Sequence, residues 1–170
     1  MEKEDFKIET LYPNTIIGYS GQPDDFVLNP SIWEMARFRR LYGEAYADWS
    51  GFYLAETQGH AGNYSGNGKA IYKVILNRRV TKLTCTNDLM GGGTQTGKEK
   101  ADLIKEAIKK LGMDIESEPL MAWLGSKNVI FSCQENELKQ YEIIVPDYMV
   151  KSGAIFLTKM QLNDYSASSV

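Results

Sequence analysis

Among the side chains able to do chemistry, one carboxylate stands in an unusual place. In the stretch ELKQYEIIVPDY, Glu137 to Tyr148, Glu142 opens an otherwise apolar run, Ile143-Ile144-Val145, two positions after the amide of Gln140. A glutamate at the mouth of a strand is ordinarily a solvated edge residue. The same position also holds a catalytic carboxylate rigidly at the rim of a cleft, ready to stabilise positive charge or carry a proton. Glu137 is the competing carboxylate nearby. A second cluster lies upstream in DWSGFYLAETQGHAGNYSG, Asp48 to Gly66, where Tyr53 and Tyr64 stand 11 positions apart and Trp49 comes just before the first. Core packing accounts for most aromatic pairs. The alternative is a flat slot gripping a planar ring, since aromatic faces stack for about 0.5–1.5 kcal/mol beyond burial.

Other chemistries find less support. His60 is the only histidine, so Ser-His-Asp and Cys-His catalysis depend wholly on it, and its polar, glycine-flanked setting TQGHAGN reads as an exposed loop. GGTQTGK, Gly92 to Lys98, has the glycine and lysine spacing of a phosphate-binding loop. Glu99 follows where magnesium ligation wants Ser or Thr, and no buried strand leads directly into it, so the segment reads as a glycine loop before a helix. Cys85 and Cys133 form no CxxC or Cys/His spacing, which implies buried thiols, a reducing compartment and no metal.

The surroundings of these residues are those of one globular domain, residues 1–170, with 43% hydrophobic and 24% charged side chains. A net charge of −3 argues against a nucleic-acid binder, and the basic run Arg37, Arg39, Arg40 is too short to reverse that. The charged start MEKEDFKIET is no signal peptide, and no apolar run approaches the roughly 18 residues of a membrane span. Action in a cytoplasm, without a membrane, is the expectation.

The elements that must position the candidates can be read from periodicity. TIIGYSG reads as a short buried strand ending in a glycine turn, and NPSIWEMARFRRLYGEAYA as a helix capped by Ser31. SGFYLAE is a short strand, and AIYKVILNRRVTKLT holds a longer one in which Ala70, Tyr72, Val74 and Leu76 alternate. KEKADLIKEAIKKLG repeats Ile104, Ala107, Ile108 and Leu111 at helical spacing before Gly112, and EPLMAWLG is a shorter helix closed by Gly125. NVIFSC, YEIIVP and AIFLTKMQL are three closing strands whose short connections suit antiparallel pairing. The fold class is α+β.

Three of these segments, IIGYSG, DWSGFYLAETQGHAGNYSG and QYEIIVP, resemble in order and spacing the ADP-ribosyltransferases of the diphtheria toxin and exotoxin A group and the related poly(ADP-ribose) polymerases. W-x-G-F-Y with a second tyrosine is the most specific piece, and IKKLGMDIESEPLMAWLG is similar to the region after the tyrosines in diphtheria toxin; the resemblance runs from about Thr15 to Leu162. It implies an ADP-ribosyltransferase-like fold of mostly antiparallel split sheets with flanking helices, and NAD as co-substrate without a metal. Tyr53 and Tyr64 would sandwich the nicotinamide beside Trp49, the Gly21 backbone would hold the carboxamide, Glu142 would be the catalytic carboxylate, and Gln140 would address the acceptor. The family's Tyr-His-Gly-Thr is here Tyr19-Ser20-Gly21-Gln22, so Ser20 stands for the histidine, with Ser20 and Gln22 together, or Arg40, as substitutes in the NAD pocket. The implied protein is a monomeric mono-ADP-ribosyltransferase toxin or effector, acting in the cytoplasm of a host or competitor cell on a target protein, of which the translation elongation factor is one option. NAD glycohydrolysis and a protein-binding pseudoenzyme are the alternatives.

Overall fold

Ala70, Tyr72, Val74 and Leu76 are buried while the residues between them are half-buried, the period of a strand covered on one face. In the computed structural model, which describes residues 1–30, 47–65, 69–87, 95–134 and 140–161, they lie on β4. The strands are β1 (Phe6–Leu11), β2 (Ile16–Pro23), β3 (Gly51–Ala55), β4 (Lys69–Leu76), β5 (Val80–Cys85), β6 (Val129–Gln134), β7 (Tyr141–Pro146) and β8 (Ile155–Lys159). The described helices are α1 (Gln58–Ser65), α2 (Gly97–Lys110), α3 (Leu120–Ser126) and α4 (Asp147–Lys151). The strands make one open sheet of eight, in the order β1-β5-β6-β7-β3-β2-β4-β8. All neighbours are antiparallel except β5 and β6. The fold is therefore α+β, as expected, but the strands form one sheet and not the expected split sheets; within it β2 and β3 share the single pair Tyr19↔Ala55. The helix expected over the segment starting at Ser31, residues 92–94 of the glycine loop and Glu137 lie outside the described residues, while Gly97 and Lys98 of that loop open α2.

Both faces of the sheet are covered. Ile144 packs with Trp49, Leu83, Ile104, Ile108, Leu124 and Phe131 beneath α2 and α3. Ile143 and Val145 pack on the other side with Leu54, Val74, Met149 and Ile155. A strand buried on both faces carries an unbroken apolar run, and this accounts for Ile143-Ile144-Val145 directly after Glu142.

Local signals explain most boundaries. Thr96 caps α2 by accepting the Glu99 N–H at 3.2 Å, and Gly112, at φ 85°, lets the chain turn away after it. Three expectations need correction. β2 does not turn at Gly21 but runs on to Pro23 against β4. α3 does not close at Gly125: the left-handed residue is Asn128, at φ 60°, and a Cβ on Gly125 would come within 3.1 Å of Pro146, so that glycine serves helix–strand packing. Finally, β7 and β8 are not neighbours. α4 carries the chain over to the far edge, where β8 pairs with β4, while α2 and α3 form a crossover between parallel β5 and β6.

The segment before β3 ties these layers together. Asp48, in a 3-10 turn (Ala47–Trp49), meets Lys105 of α2 at 2.8 Å, with side-chain exposures of 8% and 14%, and its Oδ1 also accepts the Leu120 N–H of α3 at 2.9 Å. Trp49 Nε1 donates to the Gly97 carbonyl at 2.8 Å. Ser50 Oγ donates to Asp147 at the start of α4. Removing one partner of a buried ion pair strands the other, so Asp48→Ala should lower the unfolding free energy in urea by about 3–5 kcal/mol. Asp48→Asn keeps an acceptor for Leu120 and should cost less. Equal stability of the alanine variant and the wild type would refute this anchoring role.

Candidate active site at the seam of the sheet

Register decides which candidate side chains meet. Tyr19 pairs with Ala55, Ala55 with Glu142, and Glu142 with Cys133, so these four project from one face along a line across β2, β3, β7 and β6. Tyr53, two residues from Ala55, shares that face and pairs with Ile144. Tyr53 and Glu142 are thus diagonal neighbours on adjacent strands, both half-buried. The Tyr53 hydroxyl donates to the Trp49 carbonyl at 2.6 Å, which fixes the ring's direction.

Beyond the Tyr19↔Ala55 pair the two strands part. Residues Ser20–Pro23 of β2 are laddered to β4, and Gly51–Leu54 of β3 to β7, with no further β2–β3 pair among the described residues. Continuing the antiparallel register places Gly21 across from Tyr53 with no ladder between them. On its other side Gly21 pairs with Ile71 of β4, and it brings no side chain to the gap. The approach at the top of the seam is tight: a Cβ on Gly18 would lie 2.7 Å from the Ala55 carbonyl oxygen and 3.2 Å from Leu54 Cβ.

α1 roofs the same face. A Cβ on Gly62 would contact Ile71, whose strand partner is Gly21. Thr57 Oγ1 accepts the His60 N–H at 3.1 Å and so starts the helix. Tyr64 lies in its last turn. His60 is 5% exposed inside α1, which corrects the exposed loop expected from its glycine-rich flanks.

Other candidates lie elsewhere. Ser20 and Gln22 occupy the opposite face of β2, with Ser20 4% exposed and Gln22 Nε2 donating to its hydroxyl at 2.9 Å. Trp49 is a core residue, edge-on to Phe131 at 6.1 Å, and its carbonyl accepts the Tyr53 hydroxyl. Gln140 is half-buried immediately before β7. Two residues of this region carry no functional expectation from the sequence. Tyr19 stands on the Glu142 face, which strict alternation with Gly21 would have indicated. Gln58 is buried on α1 with its Oε1 lacking a hydrogen-bond partner among the described residues, and nothing in its sequence context signals this.

Among the described residues no group of three His, Cys, Asp or Glu side chains is arranged to hold a metal. The arrangement can stack a flat ring on Tyr53, hold a polar group on a strand edge, and present a carboxylate beside both. No protein-family model matches the chain, and no curated protein sequence does either.

Cys85, in register with Cys133, is fully buried, and burial pushes its thiol up to about 11. A raised folded value favours the neutral thiol, so the contribution of Cys85 to stability is complete below the unfolded pKa and is lost as pH rises from about 9 towards 11. Iodoacetamide at pH 8 should leave Cys85 unmodified in the folded protein and label it after urea unfolding; rapid native labelling would contradict the burial. Gly18→Val should part β2 from β3 at a cost of about 1–3 kcal/mol by overpacking, measurable in thermal or urea unfolding, and an unchanged midpoint would exclude the close approach.

Proposed function

We propose that the chain is an NAD-dependent mono-ADP-ribosyltransferase that works at the seam between β2 and β3. The observation that supports this reading is the interrupted ladder: Gly21 stands in register with Tyr53 without a β2–β3 pair between them, and Glu142 is one strand further on the same face. An amide-bearing aromatic ring suits that gap. Its ring stacks on Tyr53, on the face roofed by the helix that carries Tyr64, and its carboxamide bonds to the β2 edge at Gly21, which presents no side chain there.

NAD supplies a nicotinamide whose bond to ribose breaks with both electrons going to the ring, which leaves neutral. Positive charge then grows on the ribose carbon. The fixed Glu142 carboxylate lies beside that charge and stabilises it, and it also orients the incoming nucleophile of a target protein, with the nucleophile's proton lost on attack. Tyr53, held through the Trp49 carbonyl, keeps the ring in line and excludes water. In this reading Ser20 and Gln22 brace β2 from behind, Gln140 meets the acceptor, and no metal takes part. With water as acceptor the same site is an NAD glycohydrolase.

One observation favours the protein-binding alternative. The Ser20 hydroxyl, at the position where the resembled family has histidine, is buried and already paired with Gln22. The two readings separate in one experiment, incubation with labelled NAD with and without cell lysate. The wild type should transfer label to a discrete protein, and Glu142→Ala should slow this about 100- to 10,000-fold. Tyr53→Ala should weaken NAD binding while leaving the fold intact by circular dichroism. Nicotinamide release without labelled protein assigns the glycohydrolase. Wild type and Glu142→Ala equally silent, with no NAD binding by calorimetry, would sink the enzyme and leave a binding scaffold.

A further inference from the structure

At the end of the sheet remote from Glu142, a cavity of about 390 Å³ is lined by Thr10, Arg79, Val80, Thr81, Lys127 and Asn128. Its lining has two cations, two hydroxyls and no carboxylate. Among the described residues neither the Arg79 guanidinium nor the Lys127 ammonium is within salt-bridge distance of an acidic side chain, although the protein carries a net charge of −3. Lys127 instead lies 5.8 Å over the Trp123 ring, which steadies its stem.

The floor of this cavity is built. Asn128, left-handed at φ 60°, accepts from Arg78 Nε at 3.0 Å and donates from Nδ2 to the Arg79 carbonyl at 2.7 Å. Its own carbonyl accepts the Thr81 N–H at 3.1 Å. Arg78 is in turn held by the Ser152 carbonyl at 3.2 Å and the Ser152 hydroxyl at 2.9 Å. Arg78 is thus spent on structure, and its work is to fix the backbone from which Arg79 and Lys127 extend. Thr10 and Thr81 are strand partners, so their side chains share one face at the mouth. A guanidinium, an ammonium and two hydroxyls, on a backbone frame locked by hydrogen bonds, match the charge and acceptor count of a dianion with three terminal oxygens. A carboxylate would leave one cation uncompensated.

We propose that this cavity is a phosphomonoester-binding site, distinct from the seam. Thr81 lies four residues along β5 from Cys85, roughly 13 Å, with the packed pair Leu83 and Phe131 between them and Cys85 only joining the Glu142 line through Cys133. The volume exceeds what phosphate alone fills and suits a small polar ester such as a sugar phosphate, or a phosphorylated side chain on a partner.

The test is a titration of the full chain, followed by amide chemical shifts, with inorganic phosphate, ribose 5-phosphate and a phosphoserine peptide, using dimethyl phosphate as the monoanionic diester control. Saturable shifts at the Thr81, Lys127 and Asn128 amides are expected with the two monoesters or phosphate and not with the diester. Affinity should rise as pH passes about 6, where the second phosphate proton is lost. Arg79→Ala should weaken it about tenfold, and the Arg79→Ala/Lys127→Ala pair should abolish it; both side chains are exposed, so the melting temperature should hold. Tightest binding of ribose 5-phosphate assigns a small-molecule source, and tightest binding of the peptide a protein source. No saturable shift, or unchanged affinity in the double variant, overturns the site. None of these readouts involves NAD, so this proposal stands or falls apart from the transferase reading.

Discussion

Asp48 is the constraint on which the arrangement depends. One carboxylate holds Lys105 in the middle of α2 and the first N–H of α3, and so aligns two helices through a single residue of the turn before β3. The next two residues do similar work: Trp49 holds the start of α2 and directs Tyr53 through its carbonyl, and Ser50 holds α4. A charge this deep is costly to desolvate and is kept only because both remaining demands, a cation and a hydrogen-bond donor, are met at once. The strand after this anchor, β3, leaves it with its face already set. The position of Tyr53 is a consequence of core architecture before it is a feature of any site.

The seam is the second constraint. Gly18 permits β2 to touch β3 at one point, Gly51 permits β3 to lie tightly on β7, where a Cβ would meet Ile144 and Val145 at 2.6 Å, and between those contacts the strands diverge. The result is a sheet continuous enough to transmit position from Trp49 to Glu142 yet interrupted between β2 and β3. Rigid scaffold and interrupted ladder thus occur side by side.

How much of this was legible depends on whether the signal was local. α2 could be read residue by residue, since the spacing of Ile104, Ala107 and Ile108 and the stop at Gly112 act within a few positions. β4 was legible by alternation. The neighbours of each strand were not, because a strand's own pattern says nothing about its partner; hence β8 was expected beside β7 and lies across the sheet. His60 was misjudged because glycines on both sides masked a helix that Thr57 starts. In the site, the tyrosine and glutamate motifs fall on adjacent strands with a shared face. Ser20 falls on the other face of β2, as alternation with Gly21 requires. What alternation could not reveal is how that stretch relates to Ile16, since a register shift between Ile16 and Gly18 is visible only once β4 is alongside.

The topology also fixes the order in which the site can come into being. Tyr53 and Glu142 become neighbours only through the β3–β7 ladder, whose outer pair Gly51↔Pro146 closes 95 residues, and β7 lies between β3 and a β6 that follows the α2–α3 crossover. Pairings this distant along the chain are late and slow, since the loop entropy is lost before the contacts repay it. A chain still emerging from a ribosome, or one threaded unfolded through a barrier, therefore holds its carboxylate and its tyrosine far apart until the final third has passed. Any chemistry lodged at the seam is silent for that whole interval, by connectivity alone and without an inhibitor.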